Sequence, residues 1–170
     1  PEMPEPELRA AAHAIAIGAL RYFLLKFTRA TLIAFDFKEA LNFEGETGPY
    51  VQYAAVRAAN IVRKSGAPPA AAFDPAWAAY LDQPAHWNLL WLAARLEAVV
   101  EQSLEAREPA ILAKYAFQLA QAFNAWYHHH PVLQEPDAAK RAFLLSAVAV
   151  VERQLTATLD LMGVSVPNAM

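Results

Sequence analysis

Alanine constrains this sequence more than any other feature: 38 of its 170 residues are Ala and only five are Gly. Alanine has the highest intrinsic helix propensity and glycine one of the lowest, so the chain is biased toward helix before any pattern is read. It has no cysteine, which excludes a disulfide framework, a thiolate metal site and a cysteine nucleophile. With 18% charged residues and 56% hydrophobic ones, it is not a disordered acidic tail. A length of 170 suffices for a real core. The net charge of −3 gives no overall pull toward polyanions.

The longest stretch free of Asp, Glu, Lys and Arg runs from Tyr115 to Gln134. It contains three Gln, an Asn, three His and a Pro, a costly cargo for hydrocarbon. The N-terminal residues Pro1 to Glu7 are acidic and broken by Pro, with no basic n-region, so they do not read as a secretory signal. The expectation is a cytoplasmic protein whose N-terminus looks like the cut end of a larger chain.

Helical spacing organises the rest. Leu8 to Phe27 places Ile15, Ile17, Leu20, Phe23, Leu24 and Phe27 near one face. Asp36 opens a short helix to Phe43. After the loop 44–48, Pro49 fits the first turn of a helix reaching about Lys64, before Gly66-Ala67-Pro68-Pro69. Asp74-Pro75 opens a short helix to about Leu81, and a longer one follows from Pro84 to about Ala106. The next runs from Glu108-Pro109 to the histidines at 128–130. Asp137 begins the last, with Leu144, Val148, Val151, Leu155, Leu159 and Met162 as its apolar stripe and Gly163 as its cap. No segment alternates with period two. The expected fold is an all-α bundle of five to six helices.

The helix from Pro49 to Lys64 carries a second pattern. At 100° per residue, Val51, Ala54, Ala55, Ala58, Ile61 and Val62 form a core face. Tyr50, Tyr53, Arg57, Asn60 and Lys64 form a separate stripe. Between Pro49 and Gly66 there is no acidic residue, against Arg57, Arg63 and Lys64. Tyrosine rings can stack on unpaired bases, and arginine can stack or contact phosphate, as recognition of single-stranded RNA requires. The same residues also fit half-buried tyrosines at a helix boundary with solvated cations.

Other residues carry less chemistry. Three consecutive histidines, His128-His129-His130, project about 100° apart on a helix and cannot converge on one ion. His13 and His86 have no ligand partner at metal spacing. Glu44 and Glu46 sit where they favour a helix N-terminus. No serine has a nucleophile-elbow context. Trp77, Trp87, Trp91 and Trp126 read as core or interhelix anchors, Trp87 and Trp91 being an i, i+4 pair.

The run Gly45-Glu46-Thr47-Gly48-Pro49-Tyr50-Val51-Gln52-Tyr53-Ala54-Ala55-Val56-Arg57 resembles a segment of arginyl-tRNA synthetases. Ile17 to Phe23, Phe35-Asp36-Phe37 and Leu41 to Gly45 are similar to the same family in the same order. So are Glu108-Pro109 with Leu112, Tyr115, Leu119-Ala120, Phe123-Asn124, Tyr127 and Val132-Leu133, and the ending Leu161 to Val164, Pro167 and Met170. The resemblance covers roughly residues 8 to 170. It implies a DALR-type anticodon-binding helical bundle over 44–170, preceded by a connecting segment, 1–43, that packs on a catalytic domain outside this sequence. It further implies that Tyr50, Tyr53 and Arg57 lie against the anticodon loop of tRNA(Arg), joined by Tyr127 and Met170; the helical stripe adds Asn60 and Lys64. Two departures stand out: Ala169 precedes the terminal Met where the family usually has Arg, and the Asp-Ala-Leu-Arg motif is replaced by Arg141-Ala142-Phe143-Leu144. The nucleotide-binding signatures of such enzymes are absent, with no Gly-rich phosphate loop in their place. The segment is therefore expected to be non-catalytic and free of cofactor and metal, with ATP and magnesium bound by the catalytic domain. The alternative is a divergent stand-alone helical domain that binds another RNA or a protein.

Overall fold

In a computed structural model, which describes residues 3–66, 68–70 and 72–170, every regular element is helical. Pro1, Glu2, Ala67 and Ala71 lie outside the described residues, and with them the start of the acidic N-terminus and one residue of the loop after Lys64. The helices are α1 (Glu5–Leu25), α2 (Phe37–Ala40), α3 (Gly48–Ser65), α4 (Pro84–Ala94), α5 (Leu96–Ala106), α6 (Ala110–His129) and α7 (Ala138–Leu161). Two 3-10 helices, Pro75–Asp82 and Val132–Gln134, complete them.

Local chemistry fixes the ends. Asp36 Oδ1 accepts from the amides of Lys38 (2.7 Å) and Glu39 (3.2 Å) to cap α2, and Asp137 caps α7 through Ala139 and Lys140. The Thr47 hydroxyl donates to the Asn42 carbonyl at 2.6 Å and accepts from the Tyr50 amide at 3.3 Å, starting α3 with Pro49 in its first turn. At the end of α7, Gly163 takes φ +67°, and the Val164 amide returns to the Leu159 carbonyl at 2.8 Å.

The helix expected from Pro84 to Ala106 is two helices. Arg95 sits between them with ψ −2°, and its amide bonds Leu92, three residues back, at 3.2 Å. Neither Gly nor Pro marks the break. The bend keeps both halves on α6: Leu89 and Ala93 are buried from one side of it, Val99 and Ser103 from the other. Helix ends leave carbonyls without intrahelical donors, and the buried Tyr115 hydroxyl on α6 donates to Ala93 O at 3.0 Å.

α3 and α7 form the central pair, with α6 across them. The buried alanines lie where helices approach: Ala54, Ala55 and Ala58 on α3, Ala113, Ala116 and Ala120 on α6, Ala147 on α7. By length and apolarity α1 and α7 would each suffice to cross a bilayer, but the apolar run of α7 is accounted for by Leu144, Val148, Val151, Leu155 and Leu159, all buried in the core. Trp77 and Trp126 are buried as anchors. Trp87 and Trp91 are not: they stack on each other, ring centres 6.1 Å apart, with 50% and 60% of their surfaces exposed. An i, i+4 spacing places two residues on one face without saying which face turns inward.

Helix α1 crosses α3 at two glycines. A Cβ on Gly48 would lie 2.6 Å from the carbonyl oxygen of Gly18, and one on Gly18 would lie 2.5 Å from the Gln52 amide. That fully buried amide donates to Ala14 O in α1 (3.1 Å) and to Ser165 O in the C-terminal tail (2.7 Å). Arg21 adds a bond from its Nη1 to the Gly163 carbonyl. Segment 3–43 thus packs on the bundle through α1. The segment also leaves Leu20, Leu24, Phe35, Phe37, Leu41 and Phe43 exposed.

Candidate nucleic-acid interface

The polar stripe of α3 emerges beside the end of α6 and the C-terminus. Tyr53 is 38% exposed, and Arg57 is half-buried beneath it. The guanidinium is held at both ends: Nη1 donates to Asn124 Oδ1 on α6 and Nη2 to the Tyr53 hydroxyl, each at 2.9 Å. Its Cζ also lies 4.7 Å from the centre of the Tyr53 ring. One turn on, Asn60 Oδ1 accepts from Arg63 Nη2 at 2.6 Å, and Lys64 is exposed.

Tyr53, Arg57, Asn60 and Lys64 line a groove of about 290 Å³ with Val56, Ile61, Leu133, Tyr127 and the terminal Met170. Six of the seven residues singled out in the sequence therefore share one groove: Tyr53, Arg57, Asn60, Lys64, Tyr127 and Met170. Tyr50 does not join them. Its ring packs on Phe117 of α6, centres 5.5 Å apart, and on the core. A second hollow of about 360 Å³ adjoins, lined by Arg57, Asn124, Tyr127, His128 and Pro131.

Asn124 is the residue that sequence reasoning did not place at the site. It sits three residues before Tyr127, on the same face of α6, and its amide oxygen fixes Arg57. Tyr127 in turn is backed by Phe123, its ring stacked at 6.1 Å.

The histidines separate. His128 and His129 are exposed, whereas His130 packs on His86 (4.6 Å between ring centres) and on Trp126 (5.2 Å). His86 is buried and its Nδ1 accepts from Trp126 Nε1 at 2.9 Å, so the proton of the neutral ring lies on Nε2, which has no partner. Burial first, then His130 and Lys140, lowers its pKa to about 4. Burial lowers that of His130 as well. Among the described residues no group of three or more His, Asp or Glu is placed to hold a metal ion.

Fold and groove define a class: an all-helical domain that presents one aromatic and cationic edge beside its C-terminus. The model of the DALR anticodon binding domain matches residues 51–170, and the chain belongs to that family. It is 38% identical over 173 residues to an arginine–tRNA ligase of Streptococcus equi subsp. equi, covering 99% of this chain and 30% of that protein. The corresponding figures for a Lactiplantibacillus plantarum arginine–tRNA ligase are 39% over 171 residues, 100% and 29%. The arginyl-tRNA synthetase of Thermus thermophilus superposes with a TM-score of 0.84 at 36% identity, over 100% of this chain and 29% of that one. The chain thus spans about three-tenths of the length of the relatives it matches.

Proposed function

We propose that this domain binds the anticodon loop of tRNA(Arg) as the helical domain of an arginine–tRNA ligase. The observation that carries the reading is the convergence of Tyr53, Arg57, Asn60, Lys64, Tyr127 and Met170 on one groove. Two tyrosines offer stacking surfaces to splayed bases, Arg57 and Lys64 offer charge to the backbone, and Met170 offers an adaptable apolar contact. The locally basic α3 supplies what the overall charge of −3 does not. Amino-acid activation, with its ATP and magnesium, belongs to a catalytic domain outside this chain, and the protein works in the cytoplasm. Residues 1–43 form the connection to that domain. The exposed Leu20, Leu24, Phe35, Phe37, Leu41 and Phe43 supply the apolar contacts to it, because so many large apolar side chains in one short segment are seldom left to water.

Filter binding with tRNA(Arg) and with an anticodon-swapped control tests the assignment. A preference lost on changing the middle anticodon base is the expected result. Equal binding to both RNAs would point to another RNA ligand, and no binding at low salt would remove the RNA reading.

A further inference from the structure

A second groove, of about 500 Å³, continues from the first and shares Lys64 and Leu133 with it. Its floor is apolar, built on the buried Val132 and Leu145 and the half-buried Leu133; Ala142, exposed on α7, stands in its wall. Its volume is that of a small-ligand site. Two cations border it, Lys64 from α3 and Arg141 from α7. Both are exposed, and among the described residues neither forms an ion pair. One nitrogen of Arg141, Nη1, is anchored by donating to the Glu135 carbonyl at 2.7 Å. The nearby carboxylates are already engaged: Glu135 pairs with Lys140 at 2.8 Å, and Asp137 caps α7. An apolar floor between two exposed cations that form no ion pair among the described residues matches the two halves of a nucleotide, a base with a flat apolar face and a phosphate.

We infer that this groove is a second nucleotide subsite, which takes one unpaired base of the bound RNA loop on its apolar floor and that nucleotide's phosphate against Lys64 and Arg141. The inference rests on the RNA-binding reading and extends it. The two grooves meet at Lys64 and Leu133, so bases seated in them come from neighbouring parts of one loop.

The test uses anticodon stem-loop RNAs of tRNA(Arg), intact and with a single abasic position moved around the loop. Ala142→Trp fills the groove from its exposed wall. It is expected to weaken the intact RNA about tenfold, the scale of one stacked base, and to leave unchanged the affinity for the one abasic RNA whose missing base belongs there. Arg141→Ala should lower the slope of log K against log salt by about one. Thermal melting verifies the fold of each variant, and Ala138→Trp, also on the groove wall, replaces Ala142→Trp if that variant melts early. Unchanged affinity in the filled variants overturns the subsite, as does an equal loss for every abasic RNA. Should Tyr53→Ala weaken binding at the same time, the RNA reading stands without the subsite. If Tyr53→Ala and the anticodon swap also change nothing, both readings fall.

Discussion

The Arg57 guanidinium lies over the Tyr53 ring, 4.7 Å from its centre, and donates to the hydroxyl of the same tyrosine at 2.9 Å. The i, i+4 spacing allows both contacts at once, and Asn124 holds the opposite edge of the fork. An arginine fixed in this way gives up little side-chain freedom when a ligand arrives, which is the usual entropic cost of recruiting one.

Tyr53→Ala is therefore expected to weaken tRNA(Arg) binding by about 1–3 kcal/mol, since it removes a stacking surface and releases Arg57. The fold should persist with a melting temperature lowered by only a few degrees, because the residue is 38% exposed and lies outside the core. Filter binding beside a thermal melt reads both quantities, and an unchanged affinity would end the stacking assignment.

Arg57→Ala should reduce the slope of log K against log salt by about one if the guanidinium meets phosphate. Asn124→Ala keeps the charge and loses only the orientation. It is expected to lower affinity with the slope intact, a split that a salt titration of the two variants resolves.

Gly48→Ala should destabilise the fold by roughly 1–3 kcal/mol, the range for overpacking. The new methyl would meet the Gly18 carbonyl at 2.6 Å, and a backbone atom cannot rotate away. A fall in the urea midpoint at constant m-value is the expected signature; a wild-type midpoint would mean that α1 can move off α3.

Stability should also fall with pH through His86. Unfolded, this imidazole titrates at its ordinary 6.5; folded, burial holds it to about 4. Below pH 6.5 the unfolded chain takes up a proton that the native state refuses, so stability present at neutral pH is lost as the pH drops toward 4. The loss from pH 7.5 to pH 5 should be about 2 kcal/mol. Urea melts at the two pH values measure it, and His86→Gln should flatten the difference while leaving the part due to His130.

Gln52→Leu should cost roughly 1–3 kcal/mol, because Ala14 O and Ser165 O would lose their buried donor. Amide exchange should accelerate in residues 163–170 ahead of the core. Unaltered exchange there would show that the tail is held by Arg21 and packing alone.

Much of the fold was legible because it depends on local chemistry. Asp36, Pro49, Asp74, Asp137 and Gly163 mark helix ends wherever they occur, and the stripe of α7 has one period throughout. The break at Arg95 was not legible, since it arises from fitting two helical halves to α6 and leaves no Gly or Pro behind. Helical spacing grouped Tyr50 with Tyr53, yet only Tyr53 faces the groove, because Phe117 of another helix covers Tyr50. Tyr127 and Met170 are remote in sequence from α3, and only family resemblance connected them to it. Asn124 shows the remaining gap: a residue that positions another is visible only once the two helices are side by side.

The Gln52 side chain has a consequence for where this domain begins and ends. One amide nitrogen grips a carbonyl in the first helix and another in the final strap of chain, so the module is fastened by a buckle at its middle. Trimming either end back past the buckle strands a buried polar group, and the loss would be felt at the far terminus as well as the near one. A truncation that removes either carbonyl therefore acts on the same buried amide from opposite ends of the sequence.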